Sequence, residues 1–186
     1  LGLFVEHGLP PARAAEEVHA EVADAPLVLK GDDWVLDLAA IEDAFKDGVK
    51  VYMLCSPQNP VGRVHTAQEL TRVAELADEY GVTVVSDEIH APLSWVPFTP
   101  YLTLGAAAER TGVVITSSSK AWNVAGLKAA FLLTQGSEVQ ARLKGLPDAM
   151  HWRSSLVGAF AMAEAFENGD AWLKGTMMTL SDSRKL

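Results

Sequence analysis

The stretch Ser117-Ser118-Ser119-Lys120-Ala121-Trp122-Asn123-Val124-Ala125-Gly126-Leu127-Lys128 follows the apolar run Val113-Val114-Ile115. A short buried strand that gives way to a serine turn places the lysine amine at the end of a sheet. Two earlier apolar runs end in the same manner. Val51 to Cys55 leads into Ser56-Pro57-Gln58-Asn59-Pro60-Val61-Gly62, and Val82 to Val85 leads into Ser86-Asp87-Glu88-Ile89-His90. A single lysine carries little information, because most lysines are solvated surface charges; the threefold repetition of strand then polar motif carries the reading. In doubly wound sheets ligands bind outside the carboxyl ends of the strands, where all three motifs fall.

Strands are expected at Lys50 to Cys55, Val82 to Ser86, Val113 to Thr116 and Ala129 to Thr134, each short, continuous and apolar as in a sheet covered on both faces. Helical patterns alternate with them. Thr66 to Tyr80 is the clearest: Thr66 can cap, Glu69 completes a capping box, Leu70, Val73, Leu76 and Ala77 form the apolar stripe, and Gly81 ends it. Leu38 to Phe45 reads as a helix capped by Asp37, and Pro11 to Val22 as one with proline in its first turn. Further helices are expected over Ser137 to Leu143 and Ser154 to Phe166, the latter with the small residues Gly158, Ala159, Ala161, Ala163 and Ala165. This alternation predicts an α/β fold with a doubly wound, mainly parallel sheet in three αβα layers. Pro92 to Pro100, with three prolines and Trp95, reads as a loop that packs near the site or at a subunit contact.

Fifteen basic residues against 24 acidic ones give a formal charge of −9, and no basic stripe is present, which argues against a nucleic-acid partner. The lone Cys55 cannot form an intrachain disulfide, and a small buried hydrophobe is the simpler reading than a nucleophile. No apolar run reaches the roughly 18 to 20 residues that span a bilayer. A cytoplasmic protein with no membrane partner is the expectation.

The order Asn59, Asp87, Lys120 resembles the fold-type I enzymes that use pyridoxal 5'-phosphate (PLP), the aminotransferase class I/II superfamily. Asp-Glu-Ile-His at 87 to 90 and Ser-Lys-Ala-Trp-Asn-Val-Ala-Gly-Leu at 119 to 127 look most like the MalY/PatB group of cystathionine β-lyases. The resemblance runs from about Trp34 to Trp172. It implies that residues 25–172 are part of a PLP-binding large domain, that 173–186 begin a helix toward a small domain, and that 1–24 have no clear match. It also implies that the chain is a piece of a larger, homodimeric enzyme acting on a small amino-acid substrate.

By the same resemblance Lys120 forms the Schiff base with PLP and serves as general base, and Asp87 keeps the pyridine nitrogen protonated. Partial burial of Lys120 is expected, since it favours the free amine that attacks an aldehyde. Asn59 offers its amide to the ring oxygen, although Asn-Pro and Pro-Val-Gly are also ordinary turn chemistry. Ile89 would pack beneath the ring. His90 falls where relatives carry a tyrosine at the ring oxygen, and a plain packing histidine is an equal alternative. Ser117, Ser119 and Lys128 fall at the phosphate positions, with lysine where arginine is usual, which gives charge without a bidentate fork. Trp122 reads as a packing aromatic. The implied reaction is carbon–sulfur β-elimination to thiol, pyruvate and ammonia; an aminotransferase shares every residue named, and a regulatory PLP-binding domain without turnover is a third reading.

Overall fold

The computed structural model describes residues 21–150 and 152–185. The helix expected over Pro11 to Val22 falls outside these residues, apart from Glu21 and Val22, which are not helical. The first elements are a hairpin of β1 (Val28–Lys30) and β2 (Asp33–Val35), turned at Gly31 with φ +65°. Helix α1 (Leu38–Lys46) follows, and the Asp37 carboxylate accepts the Ala40 N–H at 3.1 Å as its cap.

Four strands form the main sheet: β3 (Val51–Cys55), β4 (Thr83–Asp87), β5 (Gly112–Thr116) and β6 (Phe131–Leu133). They lie in the order β3-β4-β5-β6, the first three parallel and β6 antiparallel. The remaining helices are α2 (Ala67–Tyr80), α3 (Ala106–Thr111), α4 (Ser137–Lys144), α5 (Leu156–Asn168) and α6 (Asp170–Ser183). In α2 the expected capping box is present, with Thr66 Oγ1 and Glu69 exchanging bonds, and Gly81 ends the helix in the left-handed region.

Successive strand residues face opposite layers. Val84 and Val114 pack with Ile41, Phe45, Leu70, Val73 and Leu76 from α1 and α2, while Val85 and Val113 turn the other way onto Val139 of α4. Helices therefore lie on both faces, as expected of three layers, but the second face is covered only in part. Met53, in register with Val85, stays 46% exposed on the edge strand β3. The hairpin, the six-residue α3 and the start of α6 at Asp170 are elements that the sequence pattern did not show.

Candidate active site

Asp87 closes β4, the strand flanked by β3 and β5, with Cys55 and Ile115 as its cross-strand partners. The ladder runs one residue past it on both sides: Ser56 N–H donates to the Asp87 carbonyl at 3.0 Å, and Glu88 N–H to the Ile115 carbonyl at 2.8 Å. The half-buried Asp87 carboxylate accepts the Ile89 N–H at Oδ1, 3.1 Å, and among the described residues nothing donates to Oδ2. One carboxylate oxygen is thus anchored and the other is free.

The adjacent Glu88 has the opposite circumstances. It is buried, and its Oε1 accepts the Tyr101 N–H at 2.8 Å and the Ser86 hydroxyl at 3.2 Å. Burial pushes this carboxyl above the usual carboxylate range, and the neighbouring charge of Asp87 adds to the effect. Glu88 therefore ties the end of β4 to the Tyr101 turn, a role the sequence reading missed.

The turn after β3 is closed by Gln58 N–H to the Arg63 carbonyl at 2.7 Å, Gly62 N–H to the Gln58 carbonyl at 2.9 Å, and Val61 N–H to Gln58 Oε1 at 3.1 Å. Gly62 takes φ +72°, which suits glycine. Cys55 Sγ donates to the Pro57 carbonyl at 3.3 Å and accepts the Asn59 N–H at 3.4 Å. Burial raises the thiol's pKa, in keeping with a hydrogen-bonding and not a nucleophilic role. Turn chemistry is present here, and none of these bonds engages the exposed Asn59 side-chain amide.

Behind this turn His65 is buried, and among the described residues neither ring nitrogen has a hydrogen-bond partner within 3.5 Å. Burial is the main force lowering its pKa; the charge of Glu69 and the nearby Cys55 backbone oppose the shift, and the charge of Arg63 reinforces it.

After β5 the chain turns tightly: Trp122 N–H donates to Ser118 O at 3.1 Å and Val124 N–H to Ser119 O at 3.1 Å. Ser117 is buried and donates to the Ala129 carbonyl at 2.6 Å, so Ser119 Oγ, 2.6 Å from Ser117 Oγ, is the donor of that pair. Both hydroxyl hydrogens are used inside the loop in this conformation. Lys120 is exposed and not partly buried as expected, because the turn lifts it off the sheet edge while Ala121 and Trp122 go inward. Lys128 is also exposed, with φ +54°, and its carbonyl accepts the Ser155 N–H at the start of α5. Trp122 is a packing residue: its indole N–H donates to Gly169 O at 3.0 Å, and its ring meets Phe166 edge-on at 4.9 Å.

Asn59 and His90 line one open cleft of about 400 Å³, together with Leu93, Ser94, Trp95 and Val96 from the proline-rich segment. Ile89 is half-buried immediately before His90. Lys120, Lys128, Ser117 and Ser119 do not line this cleft and lie on the β5–β6 connection at the same carboxyl edge of the sheet. No group of metal-ligating side chains occurs among the described residues, and no described helix is long and apolar enough to cross a membrane.

A Mycobacterium leprae protein provisionally named cystathionine beta-lyase is 43% identical over 175 residues, covering 89% of this chain and 42% of that protein. Protein MalY of Escherichia coli is 32% identical over 174 residues, 92% of this chain and 44% of that one. Among solved structures, a provisionally assigned PLP-dependent beta-cystathionase from Corynebacterium diphtheriae superposes with a TM-score of 0.74 at 30% identity, over 79% of this chain and 39% of its own. The chain thus spans about two-fifths of the length of these relatives. Residues 12–186 match the model for aminotransferase class I and II, and with relatives of this identity on the same α/β frame the chain belongs to that family.

Proposed function

We propose that this chain carries the lysine-bearing part of a PLP-dependent carbon–sulfur β-lyase, which cleaves cystathionine or a related cysteine S-conjugate to thiol, pyruvate and ammonia. One observation carries the reading. An amine, a carboxylate with one oxygen unbonded among the described residues and an amide stand at or just beyond the carboxyl ends of three adjacent parallel strands, in Lys120, Asp87 and Asn59. The lyase choice over amino-group transfer is supported by relatives named cystathionine beta-lyase at 33–43% identity.

The donor set fits the cofactor. Asp87 Oδ2 has no donor among the described residues and suits a pyridinium N–H; Asn59 and His90 share a wall and offer donors to a ring oxygen. Lys128 offers a cation for the phosphate, and Ser119 can add its hydroxyl by rotating away from Ser117. Ser117, stapled to Ala129, serves the phosphate by holding the loop. Ile89 supplies an apolar side chain next to Asp87. When bound, the cofactor supplies an electron sink for charge released at the substrate Cα. Lys120 binds the cofactor and, once displaced by substrate, its amine takes the Cα proton. Asp87 holds a proton on the pyridine nitrogen while that charge develops.

The test uses the full-length protein loaded with PLP. Cystathionine should release pyruvate without any keto-acid acceptor, and borohydride reduction followed by peptide mapping should place the phosphopyridoxyl group on Lys120. Asp87→Ala should lower kcat by ~10²-fold or more, the size of a lost electrostatic contact in a transition state. Label on another lysine, or amino transfer to an acceptor without pyruvate, would overturn the assignment.

A further inference from the structure

The wall of the cleft formed by Ser94, Trp95, Val96 and Arg184 has no part in the proposed chemistry, yet its side chains are chemically specific. Arg184 caps the end of α6 and lines the cleft with Ser94, Trp95 and Val96. Its guanidinium carbon lies 4.5 Å above the Trp95 ring centroid. A cation on an aromatic face is held in place without losing its charge. The acid nearest to it in sequence, Asp182, pairs with Lys185 at 2.9 Å, and among the described residues no carboxylate pairs with Arg184. Ser94 adds a buried hydroxyl with no hydrogen-bond partner among the described residues. In a chain of net charge −9, an arginine without a carboxylate partner among the described residues, on the same wall as an unsatisfied hydroxyl, is an arrangement suited to an anion.

We propose that this wall recognises a carboxylate at the far end of the substrate's sulfur substituent. The inference rests on the reaction proposed above, since Asn59 and His90 line the same cleft. Arg184 donates to the carboxylate, Ser94 donates a further hydrogen, and Leu93, Trp95 and Val96 cover the methylenes between sulfur and carboxylate. The substrate class is then narrowed to cysteine conjugates whose S-substituent is a short alkyl chain ending in a carboxylate. Uncharged S-alkyl cysteines are disfavoured. Trp95 and Arg184 are specificity-determining residues that take no part in breaking the C–S bond.

The experiment compares S-(2-carboxyethyl)-L-cysteine with the neutral S-propyl-L-cysteine as substrates of full-length, PLP-loaded protein. The parent should favour the carboxylate conjugate in kcat/KM. Arg184→Gln should weaken kcat/KM for that conjugate by about 10- to 100-fold, the value of a charge-assisted hydrogen bond, chiefly through KM. It should leave the neutral conjugate within about twofold, an effect ordinary for an exposed site. Arg184→Lys should recover part of the loss, and Ser94→Ala should reduce the preference for the carboxylate. Equal losses for both conjugates, or no loss for the carboxylate one, would overturn the proposal. If the parent releases pyruvate from neither conjugate nor from cystathionine, the lyase reading fails and the wall is still decided by calorimetric binding. Tighter binding of the carboxylate conjugate that Arg184→Gln abolishes supports it; equal binding refutes it.

Discussion

The sheet face covered by α1 and α2 and the helix pair α5–α6 use apolar residues in different ways. In α2 the apolar positions form one stripe, and Leu70, Val73, Leu76 and Ala77 of that stripe are all buried. In α5 apolar side chains surround much of the helix, only Gly158 and Ala165 are buried, and Phe160 is 70% exposed. A helix with a single stripe needs one neighbour, whereas one that is apolar on most sides is built for burial all round. The first region completes its packing within the described residues. The second presents surface with no partner among them.

The comparison is broken most directly by truncating a side chain in each region. Leu76→Ala should destabilise the chain by about 2–5 kcal/mol, as transfer and cavity costs add in a core that cannot collapse. Phe160→Ala should fall within about 0.5 kcal/mol, as for an exposed position. Urea midpoints measure both, and equal costs would remove the distinction between the regions.

A smaller effect sharpens it within the sheet edge. Glu88→Ala leaves the Tyr101 N–H without an acceptor and should cost about 1–3 kcal/mol in the same assay. Glu88→Gln keeps the acceptor and removes the buried charge. Because the folded-state pKa is raised from 4.5, the parent binds its proton more tightly when folded, so stability falls as pH rises from 4.5 through the folded value. Melting curves should therefore show the Gln variant gaining on the parent as pH rises across that window. A constant difference would place the charge elsewhere.

His65 gives the opposite slope. Its folded-state pKa lies below 6.5, so its contribution is complete above pH 6.5 and is lost as pH falls through the folded value. His65→Phe should flatten this acid limb, read again by melting temperature. Parallel curves for parent and variant would mean that His65 takes up its proton as readily folded as unfolded.

The strands and the motifs at their ends were legible because each depends on neighbours in sequence: apolar runs, the Thr66–Glu69 box and Gly81. The hairpin was not, since its two three-residue strands are mostly exposed and one begins with a charge, Asp33. Nothing local marks Glu88 for burial; its partner Tyr101 lies 13 residues on. Arg184 over Trp95 joins residues 89 positions apart in the chain. The exposure of Lys120 had no local cue either, because it depends on how the turn divides its residues between inside and outside.

Gly169, the break between α5 and α6, has a consequence for how the sequence can change over time. Its carbonyl receives the Trp122 indole N–H, and a Cβ at this position would collide with Trp122 Nε1 and with the Ala165 carbonyl. Any larger residue at 169 must displace a ring two positions from Lys120. While the tryptophan stays, substitution at 169 is closed to single steps, and a smaller residue at 122 opens it only after giving up the indole's bond and its Phe166 contact. The two positions therefore form one heritable unit, and drift in a helix junction is restrained by a loop 47 residues earlier.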